Sequence, residues 1–237
     1  MLLYIIRHGV PDYTGDTLTP LGQRQAEAVG RRLASTGLDR IYSSPLGRAR
    51  ETARPAAELL DKTVEIEEWA SENLAWHDFS KVYPDGKRGW VFAPKNMLNL
   101  LNPSTANDDV TNFFRSPAFD GTNAEAGYAR IRAASDEFLA RQGYVREGMA
   151  YRVERHSEER VAMFCHQGFG LIWLAVLLQI PPQYVFTGFD MTHTGVTVLQ
   201  FTEGVDGYTV PRCVALSDTA HIYAEHLPMR YKGGFAF

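Results

Sequence analysis

The feature that most constrains the fold is a repeated alternation of buried runs and amphipathic stretches. Leu2 to Ile6 is a continuous apolar run, the pattern of a strand covered on both faces. Next comes "TPLGQRQAEAVGRRLASTG", where Thr19 and Pro20 make a cap-plus-proline helix start. Ala26, Val29, Gly30 and Leu33 then recur at helical spacing, and Gly37 supplies a stop. Arg40 to Ser43 reads as a short strand, Ser44-Pro45 as the start of a second helix, and Val64 to Trp69 as a third strand. Strand, helix, strand, helix, strand is the order of a parallel sheet with helices packed on its faces.

The pattern resumes in the second half. Asn123 to Gln142 predicts a long helix, Val161 to Cys165 a buried strand and Gly168 to Leu178 its helix. Val196 to Phe201 and Tyr208 to Leu216, joined by a turn at Glu203 to Gly207, close the sheet as an antiparallel pair. Residues 75–122 differ in character. Turn-rich segments such as "YPDGKRGW" and "RSPAFDGT" alternate there with Trp76, Phe79, Trp90, Phe92 and Phe113. The aromatics argue against disorder, and long connections of this kind often serve binding. The expected architecture is a three-layer α/β/α sandwich with a mostly parallel central sheet and one antiparallel edge strand. It forms a single domain over residues 1–237, with a largely helical insertion or cap at about 75–122.

Composition narrows the partners. Lys and Arg number 24 against 28 Asp and Glu, a formal net charge of -4, so the chain lacks the basic footprint of nucleic-acid binding. The two cysteines, Cys165 and Cys213, fit neither a disulfide framework nor a zinc spacing and suit a reducing cytoplasm. No basic n-region precedes the first apolar run, and the longest apolar region, Phe169 to Ile180, is too short to span a bilayer. The expectation is a cytoplasmic protein with neither nucleic-acid nor membrane partners.

In an open α/β sheet, ligands sit beyond the carboxyl ends of the strands. Arg7, His8 and Gly9 follow the first strand, and "SSPLGRARET", with Arg48 and Arg50, follows the second. Glu72 and Asp78 follow the third, while His166, Gln167 and Gly168 follow the strand ending at Cys165. Singly, a strand-end histidine is more often structural and an arginine near a helix start part of a solvated face. Together they define a chemistry. Guanidinium groups bind phosphate in bidentate fashion, and helix N-termini add backbone donors. An imidazole with its attacking nitrogen unprotonated is a nucleophile toward phosphorus. A carboxylic acid at the rim protonates the departing alkoxide. The cations supply the charge stabilisation that a metal otherwise supplies. The remaining histidines, His77, His156, His193, His221 and His226, form neither HExxH nor HxH, so no metal site is expected. His193 reads as a pocket-border residue or as a satisfied loop histidine.

The stretches "LLYIIRHG", "LTPLGQRQAEAVGRRL", "IYSSPLGRARETA", "GYARIRAASDEFL", "VAMFCHQGFGLIWLAVLL" and "ALSDTAHI" together resemble the histidine phosphatase superfamily, whose fold is shared with cofactor-dependent phosphoglycerate mutases. The resemblance implies that His8 becomes phosphohistidine and that Arg7, Arg48 and His166 hold the transferring group. It implies Glu72 as proton donor, with Asp78, Glu68 and Asp12 as rivals. Gln167 and Gly168 would give backbone contacts to phosphate, Gly9 would let the backbone turn close to it, and Thr14 would donate to it. Trp76 and His77 would be the insertion residues nearest the site. Arg50 falls to the helix surface or to a supporting position behind the phosphate-binding residues, and Asp218 and His221 to a structural role. Mutase-type and many phosphatase-type members follow the RHG with a Thr and then an Asn three residues on, where this chain has Pro11 and Thr14, which weighs against a mutase. The implied function is a metal-independent, cofactor-free phosphomonoester hydrolase acting through phosphohistidine on a small phosphorylated metabolite. Mutase-type transfer and an inactive phospho-ligand binding module are the alternatives. The expected partners are a small phosphorylated substrate or inorganic phosphate, and the oligomeric state is left open, a homodimer included.

Overall fold

The computed structural model describes residues 1–102, 109–202 and 204–229. β1 (Leu2–Arg7) is followed by a small antiparallel hairpin of β2 (Pro11–Asp12) and β3 (Thr17–Leu18). α1 (Pro20–Thr36) starts where expected, with Thr19 Oγ1 accepting from the Gly22 N–H at 3.1 Å. It ends at Gly37, whose φ of 80° favours glycine. β4 (Arg40–Ser43), α2 (Gly47–Leu60) and β5 (Val64–Ile66) complete the first alternation. α2 begins later than the Ser44-Pro45 signal suggests. Ser44 Oγ lies 2.8 Å from His166 Nε2, and the helix is capped from outside by Asp16, whose Oδ2 accepts from the Gly47 N–H at 2.7 Å. β5 is shorter than expected, because Glu68–Ala70 closes into a 3-10 turn.

Among its described residues, the insertion is not largely helical. After α3 (Glu72–Phe79), a hairpin of β6 (Ser80–Val82) and β7 (Arg88–Trp90) leads to the single turn α4 (Met97–Leu100). Three 3-10 turns, two of them opened by Pro94 and Pro117, carry much of the rest. Residues 103–108 of this stretch lie outside the described residues. Tertiary aromatic packing orders the segment instead: Phe113 meets Phe119 and Tyr128, both at 5.0 Å between ring centroids, and Phe92 meets Phe186 at 5.1 Å.

α5 (Ala124–Arg141) is followed by a hairpin, β8 (Tyr144–Glu147) and β9 (Ala150–Val153), then by β10 (Arg160–Cys165) and α6 (Gln167–Leu178). α7 (Pro182–Gly188), β11 (Val196–Gln200), β12 (Tyr208–Thr209), β13 (Arg212–Asp218) and α8 (Ala220–Ala224) follow. The central sheet has the order β13-β11-β1-β10-β4-β5. β1, β10, β4 and β5 run parallel, whereas β11 is antiparallel to both β1 and β13. The antiparallel strand is therefore second from the edge, and the expected edge position does not hold. The stretch 208–216 divides, with β12 pairing with β9 in a separate three-stranded sheet and β13 returning to the main one. Glu203 of the expected turn lies outside the described residues.

The period-two alternation of β1 separates two cores. Leu3 and Ile5 join Phe138, Met163 and Trp173 on the α5/α6 side, while Tyr4 and Ile6 join Val29, Ile41 and Ala53 on the α1/α2 side. Each fully buried Leu or Ile contributes about 1.5–3 kcal/mol. α1 approaches α2 closely at Gly30, where an added Cβ would lie 2.7 Å from Pro55 Cβ and 3.0 Å from the Ala56 nitrogen. Gly30→Ala is expected to cost about 1–3 kcal/mol, measured as a lower denaturant midpoint at unchanged slope. An unchanged midpoint would contradict that contact. No described helix is long and apolar enough to cross a membrane.

Candidate active site

β1 and β10 are neighbours in register, with Arg7 opposite Cys165, so the residues just beyond them emerge side by side. The His8 N–H donates to the Cys165 carbonyl at 2.9 Å, and the His8 and His166 ring centroids lie 5.1 Å apart. His8 Nδ1 sits 2.7 Å from the Gly9 carbonyl oxygen. A carbonyl only accepts, so Nδ1 carries the proton and Nε2 keeps its lone pair. Burial pushes the His8 pKa well below its ordinary value, with His166, Arg7 and Arg48 adding to that effect. The ring is neutral at pH 7, as a nucleophile requires.

His166 is fully buried, and burial together with Arg48 and Arg7 likewise pushes its pKa well down. Ser44 Oγ accepts from the Leu46 N–H at 3.3 Å. When its hydroxyl donates to His166 Nε2, Nδ1 is left protonated and available as a donor. Arg7 Nη1 donates to the Met191 carbonyl at 2.6 Å, and Nη2 donates to His193 Nε2 at 3.0 Å. His193 stands 5.6 Å from His8 between ring centroids, so it borders the site. Arg48 pairs with Asp16, and its guanidinium carbon lies 5.4 Å from the Tyr13 ring centroid. Three buried nitrogens from this cluster, Arg7 Nε, Arg48 Nε and His166 Nδ1, have no hydrogen-bond partner. Buried donors left unsatisfied are costly, and a set of three around the His8 ring suits an anion.

A cavity of about 550 Å³ opens on Arg7, His8 and Arg48 and continues past Glu72 and Trp76. Glu72 is the first residue of α3. Its Oε1 accepts from the Gly168 N–H at 3.0 Å and its Oε2 from the Phe169 N–H at 2.8 Å, capping α6. Burial raises the Glu72 pKa, and the two backbone donors, Arg7 and Arg48 offset that rise only in part. Gln167 also lines the cavity, its amide bonded to Asp190.

Other expected residues are placed elsewhere. Thr14 is exposed in a turn closed by its own N–H on Asp12 Oδ1 at 2.9 Å, while its neighbours Tyr13 and Asp16 line the cavity. The His77 side chain is 73% exposed, bonded to Asp78 at 2.9 Å, and borders a separate cavity. Gly9 gives its N–H to Thr52 Oγ1 at 3.0 Å. Its lack of a side chain serves close packing on α1, since a Cβ would lie 2.6 Å from the Gly22 carbonyl oxygen. The Gly168 N–H is occupied by Glu72, and a Cβ there would meet the Trp90 indole at 2.5 Å.

Of the rivals to Glu72, Asp78 is buried away from this cavity and bonded to Arg130 at 2.9 Å, and Glu68 and Asp12 lie outside the lining of the cavity. Arg50 is exposed on the outer face of α2. Asp218 pairs with Arg32, and His221 Nε2 lies 2.9 Å from Thr194 Oγ1. The Thr194 N–H donates to the Arg7 carbonyl at 3.0 Å, so this C-terminal group braces the end of β1. Burial and Arg32 push the His221 pKa down to about 4. Among the described residues, no group of three or more His, Cys, Asp or Glu side chains is placed to hold a metal ion.

Ser44, Asp16, Tyr13, Asn73 and Trp90 belong to the site and carry no pattern in the sequence that announces it. Ser44 beside Pro45 fits a helix cap, and Asp16 sits in a turn whose composition accounts for it equally well.

Residues 3–79 match the family model of the histidine phosphatase superfamily (branch 1). No curated protein sequence matches the chain. Among solved structures, the fold is similar to a mycobacterial glucosyl-3-phosphoglycerate phosphatase, at 21% identity over 92% of this chain and 99% of that one, with a TM-score of 0.61. It is similar also to a phosphoserine phosphatase from Entamoeba histolytica, solved with 3-phosphoglyceric acid, at 21% identity over 93% and 98% of the two chains and a TM-score of 0.61. The first third of the chain thus carries the motif of the histidine phosphatase superfamily, and the whole chain shares the fold of these phosphatases.

Proposed function

We propose that the protein is a metal-independent phosphomonoester hydrolase that acts through a phosphohistidine on a small phosphorylated metabolite. The observation that carries this reading is the pairing of a fixed, neutral His8 with the unsatisfied donors of Arg7, Arg48 and His166. His8 Nε2 attacks phosphorus while the two guanidiniums and His166 take up the charge on the equatorial oxygens. The P–O bond to the alcohol breaks, and Glu72 gives its proton to the departing oxygen. Water then attacks the phosphohistidine, Glu72 takes back a proton, and inorganic phosphate leaves with His8 neutral again. Relatives of this fold have been solved with inorganic phosphate and, as a mutant, with phosphoserine, which supports a small phosphorylated ligand. Two free cysteines accord with a cytoplasmic setting.

The test is release of phosphate from p-nitrophenyl phosphate in excess EDTA. The expected rate equals that in magnesium, and a requirement for a divalent cation would overturn the metal-independent reading. Interconversion of 2- and 3-phosphoglycerate in the presence of bisphosphoglycerate is expected to be negligible beside hydrolysis. Efficient transfer would reinstate the mutase.

A further inference from the structure

The walls of the cavity beyond the phosphoryl end carry a second kind of information. Trp76 lies one turn after Glu72 on α3, on the same helix face, and therefore flanks the path by which an alcohol would leave. Its ring meets that of Trp90 edge-on, at 4.9 Å between centroids and 82° between planes. Trp90 is held from behind by stacking on Phe92 at 4.9 Å and from the side by Gly168. Tyr13 faces the cavity from the β2–β3 hairpin. The indole pair is thus a supported platform, and Asn73 beside it offers an amide for hydroxyl groups.

Charge points the same way. Among the described residues lining the cavity, the cations are Arg7 and Arg48, and both belong to the phosphoryl end. The carboxyl groups there are those of Asp16 and Glu72. The nearby Arg88 lines the adjacent cavity on the far side of Trp76, and its Nη1 is spent on the Ser80 carbonyl and hydroxyl at 3.2 and 3.0 Å. A leaving group with its own carboxylate would find, among the described residues lining this cavity, no cation beyond the two at the phosphoryl end.

We infer that the substrate is the phosphomonoester of an uncharged, ring-bearing alcohol whose ring lies against the Trp76–Trp90 pair, and that esters of hydroxy acids are disfavoured. This rests on the hydrolase reading above and sets the chain apart from relatives solved with phosphoserine or 3-phosphoglyceric acid. A sugar or a nucleoside supplies the same ring face, and the experiment separates the two.

The full chain is assayed on glucose 6-phosphate, adenosine 5′-monophosphate, glycerol phosphate, phosphoserine and 3-phosphoglycerate. At least one ring-bearing ester is expected to exceed both carboxylate esters by about tenfold or more in kcat/KM, the faster of the two identifying sugar or nucleoside. Trp76→Ala is expected to raise KM for that ester about tenfold and to change the glycerol phosphate value several-fold less. Fastest turnover of phosphoserine or 3-phosphoglycerate, or equal losses on ring-bearing and ringless esters in Trp76→Ala, would overturn the inference while leaving the hydrolase reading intact. Absence of turnover on every ester would sink the hydrolase reading, and this inference with it.

Discussion

His8→Ala is expected to lower turnover of any phosphomonoester by at least about 10⁴-fold, the scale on which removal of a covalent nucleophile is felt. The size of the effect comes from the geometry. No other imidazole at the described site has a nitrogen held free in the same way: His166 Nε2 is engaged by Ser44 and His193 Nε2 by Arg7. The substitution leaves β1 in its register, because the backbone bond from His8 to Cys165 does not involve the ring. Folding is therefore expected to persist, and a melting curve checks it. A rapid quench of the unsubstituted protein with labelled substrate is expected to trap an acid-labile, alkali-stable phosphoenzyme that His8→Ala lacks. Retention of both turnover and labelling in the variant would sink the phosphohistidine mechanism. The pH dependence gives a second check. The His8 pKa lies well below its ordinary value, so the unprotonated ring persists into acid. The acid limb of kcat/KM is accordingly expected well below pH 6.5, since rate is lost only as pH falls through that depressed value.

Residues whose signals are local are legible in the amino-acid sequence itself. Leu2 to Ile6 has one reading as a run covered on both faces, and a strand of that kind presents side chains to ligand at its carboxyl end. Thr19 and Pro20 mark α1 because a cap is a matter of adjacent residues. Arg7, His8, Arg48 and His166 stand out by their position just past the strand ends, and the sheet order β1-β10-β4 does bring those ends together. The features that stay hidden depend on contacts between distant segments. Asp16 caps α2 across 31 residues of chain, and Glu72 caps α6 from 96 residues away, so no window of sequence contains either partner pair. Gly9 and Gly168 suggest room for phosphate, whereas the groups they make room for are the Gly22 carbonyl and the Trp90 indole. A glycine reports that something lies close and not what it is. The insertion departs from the helical expectation for a related reason. Its aromatics lack helical period because they pack on α5 and α7, and the turn residues between them break any helix.

Glu72→Gln separates chemistry from architecture at the residue where the two are most entangled. As the acid, Glu72 must be protonated when the alkoxide leaves. Burial raises its pKa, and the protonated fraction falls as pH rises through that raised value, producing an alkaline limb in kcat/KM. The glutamine variant has no proton to give. It is expected to lose about 10²–10⁴-fold on alkyl phosphates and far less on p-nitrophenyl phosphate, whose leaving group departs as a stable anion, and to lose the alkaline limb. As the cap of α6, the same carboxylate accepts from both Gly168 and Phe169. An amide keeps one acceptor oxygen and turns an NH2 toward the other backbone donor, so a stability loss of about 1–3 kcal/mol is expected alongside. That loss is common to all substrates, whereas the missing proton is not. A purely architectural Glu72 would slow alkyl and aryl esters equally and leave the alkaline limb in place, and that outcome would return the acid's role to another group. Asp78 would be a poor successor, since its carboxylate is already committed to Arg130 and His77 outside the cavity.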